Sequence, residues 1–307
     1  PPPPTIAGVT TLAAVEQSVD QLSRNHVRLL VDSDNFGAVV TDDLDRLIAP
    51  SQLHVVGQVG DGGAGGLRGR LSFGDGLEVL GGFALGREDF SGVTIPFEQL
   101  GSLTLRYAPS GASRPFVEVG GVVGQAQDAQ FTRTYADGDK TGVGQGGGSY
   151  RSDEVWGRAG WVVDWGGSSQ AGVYLQYGEQ SQSLGGYMET LSNLNPFEAA
   201  VGAGGDRMDV GKLGGRYDFV TSDGWEIFAG LSIDHAFSQD HTLPVAVDGF
   251  GPITSTPVPS QTWVEYRARF GHALGPKTTL SFYVTGLAGT EPVGAPIAAG
   301  LDLKVVF

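Results

Sequence analysis

One short stretch of the chain holds the residue types that hydrolysis needs: Asp234, His235, Asp240 and His241. An aspartate beside a histidine can fix the imidazole in the tautomer that activates water. In a strand, however, adjacent side chains leave on opposite faces, so Asp234 and His235 cannot share one inward site. Gly142, Gly144 and Gly147 have G-x-G-x-x-G spacing, but a dinucleotide site needs a strand before it and a helix after it. Neither flanks this stretch, and it reads as a flexible surface loop. Asp137, Asp139 and Thr141 resemble the start of a calcium loop, yet position twelve is Gly148, where a bidentate glutamate is required. The sequence contains no G-x-S-x-G elbow and no His-Glu-x-x-His pair. With no cysteine there is neither a disulfide nor a thiolate metal site. The expectation is therefore no catalytic residue, no metal and no cofactor.

What chemistry remains is that of charges at alternate positions, and strands must carry them. From Leu53 onward the apolar period is two, and twelve segments of this kind are predicted. Trp225, Ile227, Ala229, Leu231 and Ile233 face one way, with Glu226, Ser232 and Asp234 on the other side. Val264, Tyr266 and Phe270 oppose Glu265, Arg267 and Arg269. Leu67 and Leu71 oppose Arg68 and Arg70, and Leu103, Leu105 and Tyr107 oppose Arg106. Ahead of the strands, Leu12, Val15, Val19, Leu22, His26 and Leu29 recur at helical spacing, with Thr10 or Thr11 as the cap. A second short helix is predicted from Thr41 through Leu44 to Ile48. The run Pro1 to Pro4 favours extended polyproline geometry and reads as a linker. The division is thus 1–9 linker, 10–50 helical region and 51–307 strands.

Composition suits strands in lipid. Glycine numbers 50, charged residues make up 17%, and mean hydropathy is near zero. No run approaches the roughly 20 apolar residues of a membrane helix, whereas a barrel conceals its apolar residues by alternation. Short links such as Gly74–Gly76, Pro109–Ala112, Gly166–Ser168, Thr221–Asp223 and Gly275 alternate with long ones. The long links are expected near Arg87–Pro96, Gln125–Gly148, Ser183–Asp206 and Gln239–Ser260. Lipid-facing aromatics near the short turns would form an interfacial girdle: Phe73, Tyr107, Trp161, Tyr217, Phe219, Trp225, Phe270 and Phe307. The opposite face supplies Arg68, Arg70, Glu78, Arg106, Glu118 and Arg158 to a polar lumen. Arg216, Glu226, Glu265, Arg267 and Arg269 complete that set. A net charge of -15 disfavours nucleic acid as a partner. The stretch Ile297 to Phe307 alternates with almost no exception, and an apolar strand of this kind is safe only in a closed sheet.

A polar helix, twelve strands and a closing strand carrying Leu303, Val305 and Phe307 resemble the translocator domain of a monomeric bacterial autotransporter, a type V secretion system. The resemblance covers nearly the whole chain. It implies an all-β fold, a twelve-stranded antiparallel transmembrane barrel with an N-terminal helix inside the lumen. The helix would present Glu16, Asp20, Arg24 and Arg28 to the lumen charges. Also implied are export of an N-terminal passenger as an extended hairpin and its anchoring at the surface of a Gram-negative cell. Leu303, Val305 and Phe307 would be the signal read by the barrel-assembly machinery. Partners would be outer-membrane lipid, lipopolysaccharide and the chain's own passenger, with the barrel a monomer. Long loops would be extracellular, and short turns and the end of the last strand periplasmic. Pro1 to Pro4 would be the stump of the passenger linker. Some members cut themselves at an Asn-Asn pair on the helix; Asn25 precedes His26 and Asn35 precedes Phe36, so an uncleaved helix is expected. The alternatives are a porin-like diffusion channel and an omptin-like protease using the Asp and His residues above. Twelve strands exceed the ten of omptins, and also argue against a trimeric stalk that gives four per chain. Deleting Leu12 to Val31 should open a plugged translocator and leave a porin unaltered.

Overall fold

The computed structural model describes residues 10–90, 92–165, 168–255 and 258–307, with the backbone alone at 32–36. The linker stretch 1–9 lies outside them. Helix α1 spans Leu12–Gly37, running past the expected Val31. Thr11 is its cap: the Ala14 amide donates to Thr11 Oγ1 at 3.2 Å, which satisfies one orphan donor of the first turn. The second helix predicted from Thr41 does not form, and 38–50 is a series of turns. Donors on the barrel wall take the place of helical N–H groups there. Arg68 donates to the Ala38 carbonyl, Ser102 to that of Val40, and Arg70 and Arg106 both to that of Leu47.

Twelve strands then close into one antiparallel barrel. They are β1 (Gln52–Val59), β2 (Gly62–Ser72), β3 (Leu77–Phe90), β4 (Val93–Tyr107), β5 (Ser113–Asp137) and β6 (Lys140–Asp164). The second half comprises β7 (Ser169–Leu184), β8 (Gly204–Val220), β9 (Trp225–Thr242), β10 (Thr262–Gly275), β11 (Thr278–Gly289) and β12 (Ile297–Val306). The seam joins β1 to β12, with Gln52 opposite Val306 and Val59 opposite Ala299. Closure leaves no edge strand, which is what allows a sheet to sit in lipid.

The outward side chains form an apolar band. Leu103, Leu175, Leu213 and Leu301 are exposed on it, and the eight aromatics named for the girdle all point outward near the short-turn end. On β5 the band runs from Val117 to Val123 and gives way to Gln125 and Gln127. The two expected long connections in the first half are different in kind. β3 and β4 meet in a tight turn with Gly92 at φ 85°, a conformation that suits glycine. Gln125–Gly148 is no loop, because β5 and β6 pair from Ser113 and Val163 up to Asp137 and Lys140. Two 25-residue strands, at roughly 3.3 Å per residue, stand far above an apolar band about 25 Å tall. Gly142, Gly144 and Gly146 lie inside β6. A Cβ at those positions would strike Tyr135, Glu189 and Tyr187 respectively, so they serve close packing rather than flexibility.

The connections 185–203 and 243–261 do form long loops. Among the described residues they contribute four short strands, Gly251–Ile253, Val245–Val247, Ala199–Val201 and Tyr187–Met188, to a small sheet in that order.

Candidate functional site

The interior has two levels. At the long-loop end, α1 lies between the tall β5–β6 hairpin and the small loop sheet. Val15, Val19, Leu22 and Leu29 pack there with Phe131, Tyr150, Val201, Val245 and Ile253. Burial of each large apolar side chain at this level contributes ~1.5–3 kcal/mol. From residue 22 to 31 both faces of α1 are largely buried, whereas between 11 and 21 only one face is. The helix therefore enters the closed wall near Leu22. Thr10 Oγ1 donates to Asp137 at the hairpin tip, 2.6 Å away, which fixes the start of α1 at the long-loop end.

Arg133 ties this level together. Its Nε and Nη2 donate to the two oxygens of Glu189 at 2.8 and 2.7 Å, Nη1 to Ser18 Oγ at 3.1 Å, and Nη2 to the Phe197 carbonyl at 2.7 Å. Tyr187 stacks on Phe131 in the same layer. Burial pushes its phenol above the ordinary tyrosine range, and the Glu189 carboxylate adds to the shift.

Near the rim, Ser23 Oγ lies 2.6 Å from His241 Nε2, and His241 Nδ1 meets Asp206. Gln182 also donates to Asp206 and, at 2.7 Å, to the His26 carbonyl. This is the order of a serine charge relay. But Ser23 is 1% exposed in mid-helix, so its hydroxyl is a tether holding the helix to the wall rather than an accessible nucleophile. Asp234 and His235 diverge as expected: Asp234 is buried 3.5 Å from Lys212, and His235 bonds Thr262 on the other face.

The lower level is filled by 38–50. Asp42 pairs with Arg70 and Arg106 at 2.6 and 2.7 Å, Asp43 with Arg158 and Arg267 at 3.1 and 3.6 Å, and Asp45 with Arg68 and Arg269 at 3.2 and 2.6 Å. Arg216 donates to the Asp45 carbonyl. Wall carboxylates brace the same cations: Glu118 holds Arg106 and Arg158, Glu78 holds Arg106, Glu265 holds Arg267, and Glu226 holds Arg269 and Lys304. These wall charges lie on the inner side of the barrel. Arg68, Arg70, Glu78, Arg106, Glu118, Arg158, Arg216, Glu265 and Arg269 are buried, with Glu226 and Arg267 partly so. Voids among them amount to about 10 to 20 Å³ each, room for about one water molecule. A larger cleft of about 410 Å³ lies beside Pro96, Phe131 and Gly146, where β4 and β5 part between Thr94 and Gln99.

The four helix charges need correction. Glu16 is exposed and Asp20 half-buried. Arg24 bonds Gln21 on its own helix, and Arg28 meets Asp61 at the β1–β2 turn, 3.1 Å away. Neither the Arg24 nor the Arg28 pairing involves a lumen arginine. The wall rises above the band chiefly at β5–β6, leaving the upper helix one solvent face, and the lumen charges are met instead by Asp42, Asp43 and Asp45.

At the seam, His54 of β1 bonds Asp302 of β12 at 2.8 Å and lies 3.5 Å from Asp45. Ligand atoms of these three residues fall within 4.8 Å of one another. Arg68 also contacts Asp45 and Asp302, and Arg269 contacts Asp45, so cationic side chains already occupy the carboxylates. Leu303 and Val305 lie on the outward side of the same strand, Phe307 follows its last residue and is exposed, and the Phe307 amide donates to the Ser51 carbonyl at 3.2 Å.

No family model and no curated protein matches the chain. Among solved structures, the translocator domain of the autotransporter NalP from Neisseria meningitidis aligns at 13% identity and TM-score 0.59, over 91% of this chain and 97% of that one. The fold is that of an autotransporter translocator domain. The β domain of the Bordetella autotransporter BrkA aligns at 16% identity and TM-score 0.49, over 84% and 98% of the two chains. The KdgM porin aligns at 9% identity and TM-score 0.41, over 83% and 99%. The candidate site in this fold is the filled lumen.

Proposed function

We propose that the protein is an outer-membrane translocator that enables export of an N-terminal passenger and anchors it at the cell surface. One observation carries this reading. Helix α1 begins beside Asp137 at the long-loop end, while β1 begins at Gln52 on the short-turn end, so the chain runs the length of the barrel between them. A segment joined ahead of Thr10 therefore emerges on the long-loop side. Long loops face the exterior and short turns the periplasm, the arrangement usual for such barrels. Export proceeds by passage of an extended hairpin, and α1 with 38–50 is what stays in the pore. The apolar band meets lipid and lipopolysaccharide, the barrel acts as a monomer, and Leu303, Val305 and Phe307 present the pattern that the assembly machinery engages.

The small voids around Asp42–Asp45, about 10 to 20 Å³ each, favour this reading over a standing diffusion channel. The test is a reporter enzyme with a secretion signal fused ahead of Pro1. Its digestion by protease added to intact cells supports the reading. A reporter left in the periplasm behind a correctly folded barrel overturns it.

A further inference from the structure

The six arginines that hold Asp42, Asp43 and Asp45 come from β2, β4, β6 and β10, so they ring the pore rather than line one side. Each carboxylate receives two guanidinium groups, the planar forks best suited to carboxylate and phosphate. Arg70 and Arg106 are 2% and 1% exposed. Withdrawal of the segment would take one carboxylate partner from each of the six arginines and leave the wall carboxylates Glu78, Glu118, Glu226, Glu265 and Asp302, so a replacement anion would restore the lost pairing. Six guanidinium groups against those five wall carboxylates leave the emptied ring with an excess of positive charge. The segment is seated by its backbone as well. Gly82 faces Val40 so closely that a Cβ there would strike the Val40 carbonyl, and Ser102 donates to that same oxygen at 2.6 Å.

We propose that this ring is a carboxylate-recognition site, that Asp42-Asp43-Leu44-Asp45 is its resident ligand, and that withdrawal of the segment leaves an anion-selective passage that binds carboxylate-rich peptide from solution. Rings of arginine select anions in pores because they lower the electrostatic barrier for one sign only. The inference needs 38–50 to fill the lumen and does not need passenger export. A chain that fails to display a reporter but opens to anions refutes the first reading and leaves this one standing.

The test uses the full chain in planar bilayers under a KCl gradient. Two variants empty the ring by different routes. Asp42→Asn, Asp43→Asn and Asp45→Asn together remove the ligand charge, whereas Gly82→Ala displaces the segment and keeps every charge. Heat-modifiable migration on gels confirms that each barrel has folded, and the glycine variant serves if the triple variant does not assemble. Both should open far more often than the parent chain, with a reversal potential on the chloride side of zero. A synthetic peptide spanning 38–50 should then block the open pore. Its triple-asparagine counterpart should bind at least about tenfold more weakly, about 1.4 kcal/mol, and added salt should weaken the block. Openings that favour potassium, equal block by the two peptides, or folded variants that stay closed would each overturn the proposal.

Discussion

Replacing Arg133 by methionine tests whether the upper level is a clamp on the helix. The side chain keeps its length and loses its charge. What it leaves behind is Glu189, still accepting from Asn195 Nδ2 at 3.2 Å and the Ala199 amide at 3.0 Å, but with no cation in its buried position. The contact to Ser18 on α1 and that to the Phe197 carbonyl in the loop sheet go at the same time. Breaking one partner of a buried pair typically costs 3–5 kcal/mol, about 100- to several-thousand-fold in an opening equilibrium. The cost falls on the clamp and not on the membrane band, since Arg133 sits well above Val123 on β5. Hydrogen exchange read by mass spectrometry should therefore show peptides from Leu12–Leu22 and 187–201 losing most of their protection. Peptides from the lower halves of β7 to β9 should not change. Adding Glu189→Gln should recover a large part of the loss, because the orphaned charge is gone. Unchanged protection of α1 in Arg133→Met would refute the clamp. So would a double variant whose loss equals the sum of the two single losses.

Leu103→Arg, on the outward band, should cost about 2–4 kcal/mol and reduce the folded fraction after refolding into vesicles; Thr104→Arg, one step along the strand, should disturb the lumen instead. His54→Leu leaves Asp302 with Arg68 alone at the seam, so the temperature at which the barrel unfolds on gels should fall. Phe307→Ser should slow appearance of folded barrel in cells more than it alters conductance of barrels already formed. Burial raises the folded-state pKa of Tyr187 above its unfolded value near 10, so the clamp's stability is intact below pH ~10 and declines as pH rises above it. Tyr187→Phe should remove that alkaline loss, measured as exchange of α1 peptides against pH.

Alternation was strong evidence for this fold because a barrel wall imposes one rule on every strand. Gln52–Val59 alternates buried and exposed without exception, so each side chain reports its face from sequence position alone. The wall charges follow the same alternation. The occupant of the ring was not legible. Thr41–Ile48 has the local composition of a short helix, and its turns are dictated by Arg68, Arg70, Ser102 and Arg106, which are distant in sequence. Arg133 and His241 were invisible as tethers, since their partners Glu189 and Asp206 belong to segments far away in the chain. The glycines of β6 misled in the opposite direction. Gly142 and Gly144 look like a flexible loop, and their purpose is to admit Tyr135 and Glu189, a demand that only the packed structure expresses.

The absence of cysteine makes a direct test of chain direction simple. Leu12→Cys places one thiol at an exposed position at the start of α1, and Asp223→Cys places one in a short turn. Cells carrying each single variant would be treated with a membrane-impermeant maleimide before and after the outer membrane is permeabilised. Leu12→Cys should label on intact cells and Asp223→Cys only after permeabilisation. Labelling of Asp223→Cys on intact cells, with Leu12→Cys protected, would mean that the chain does not thread the barrel toward the exterior.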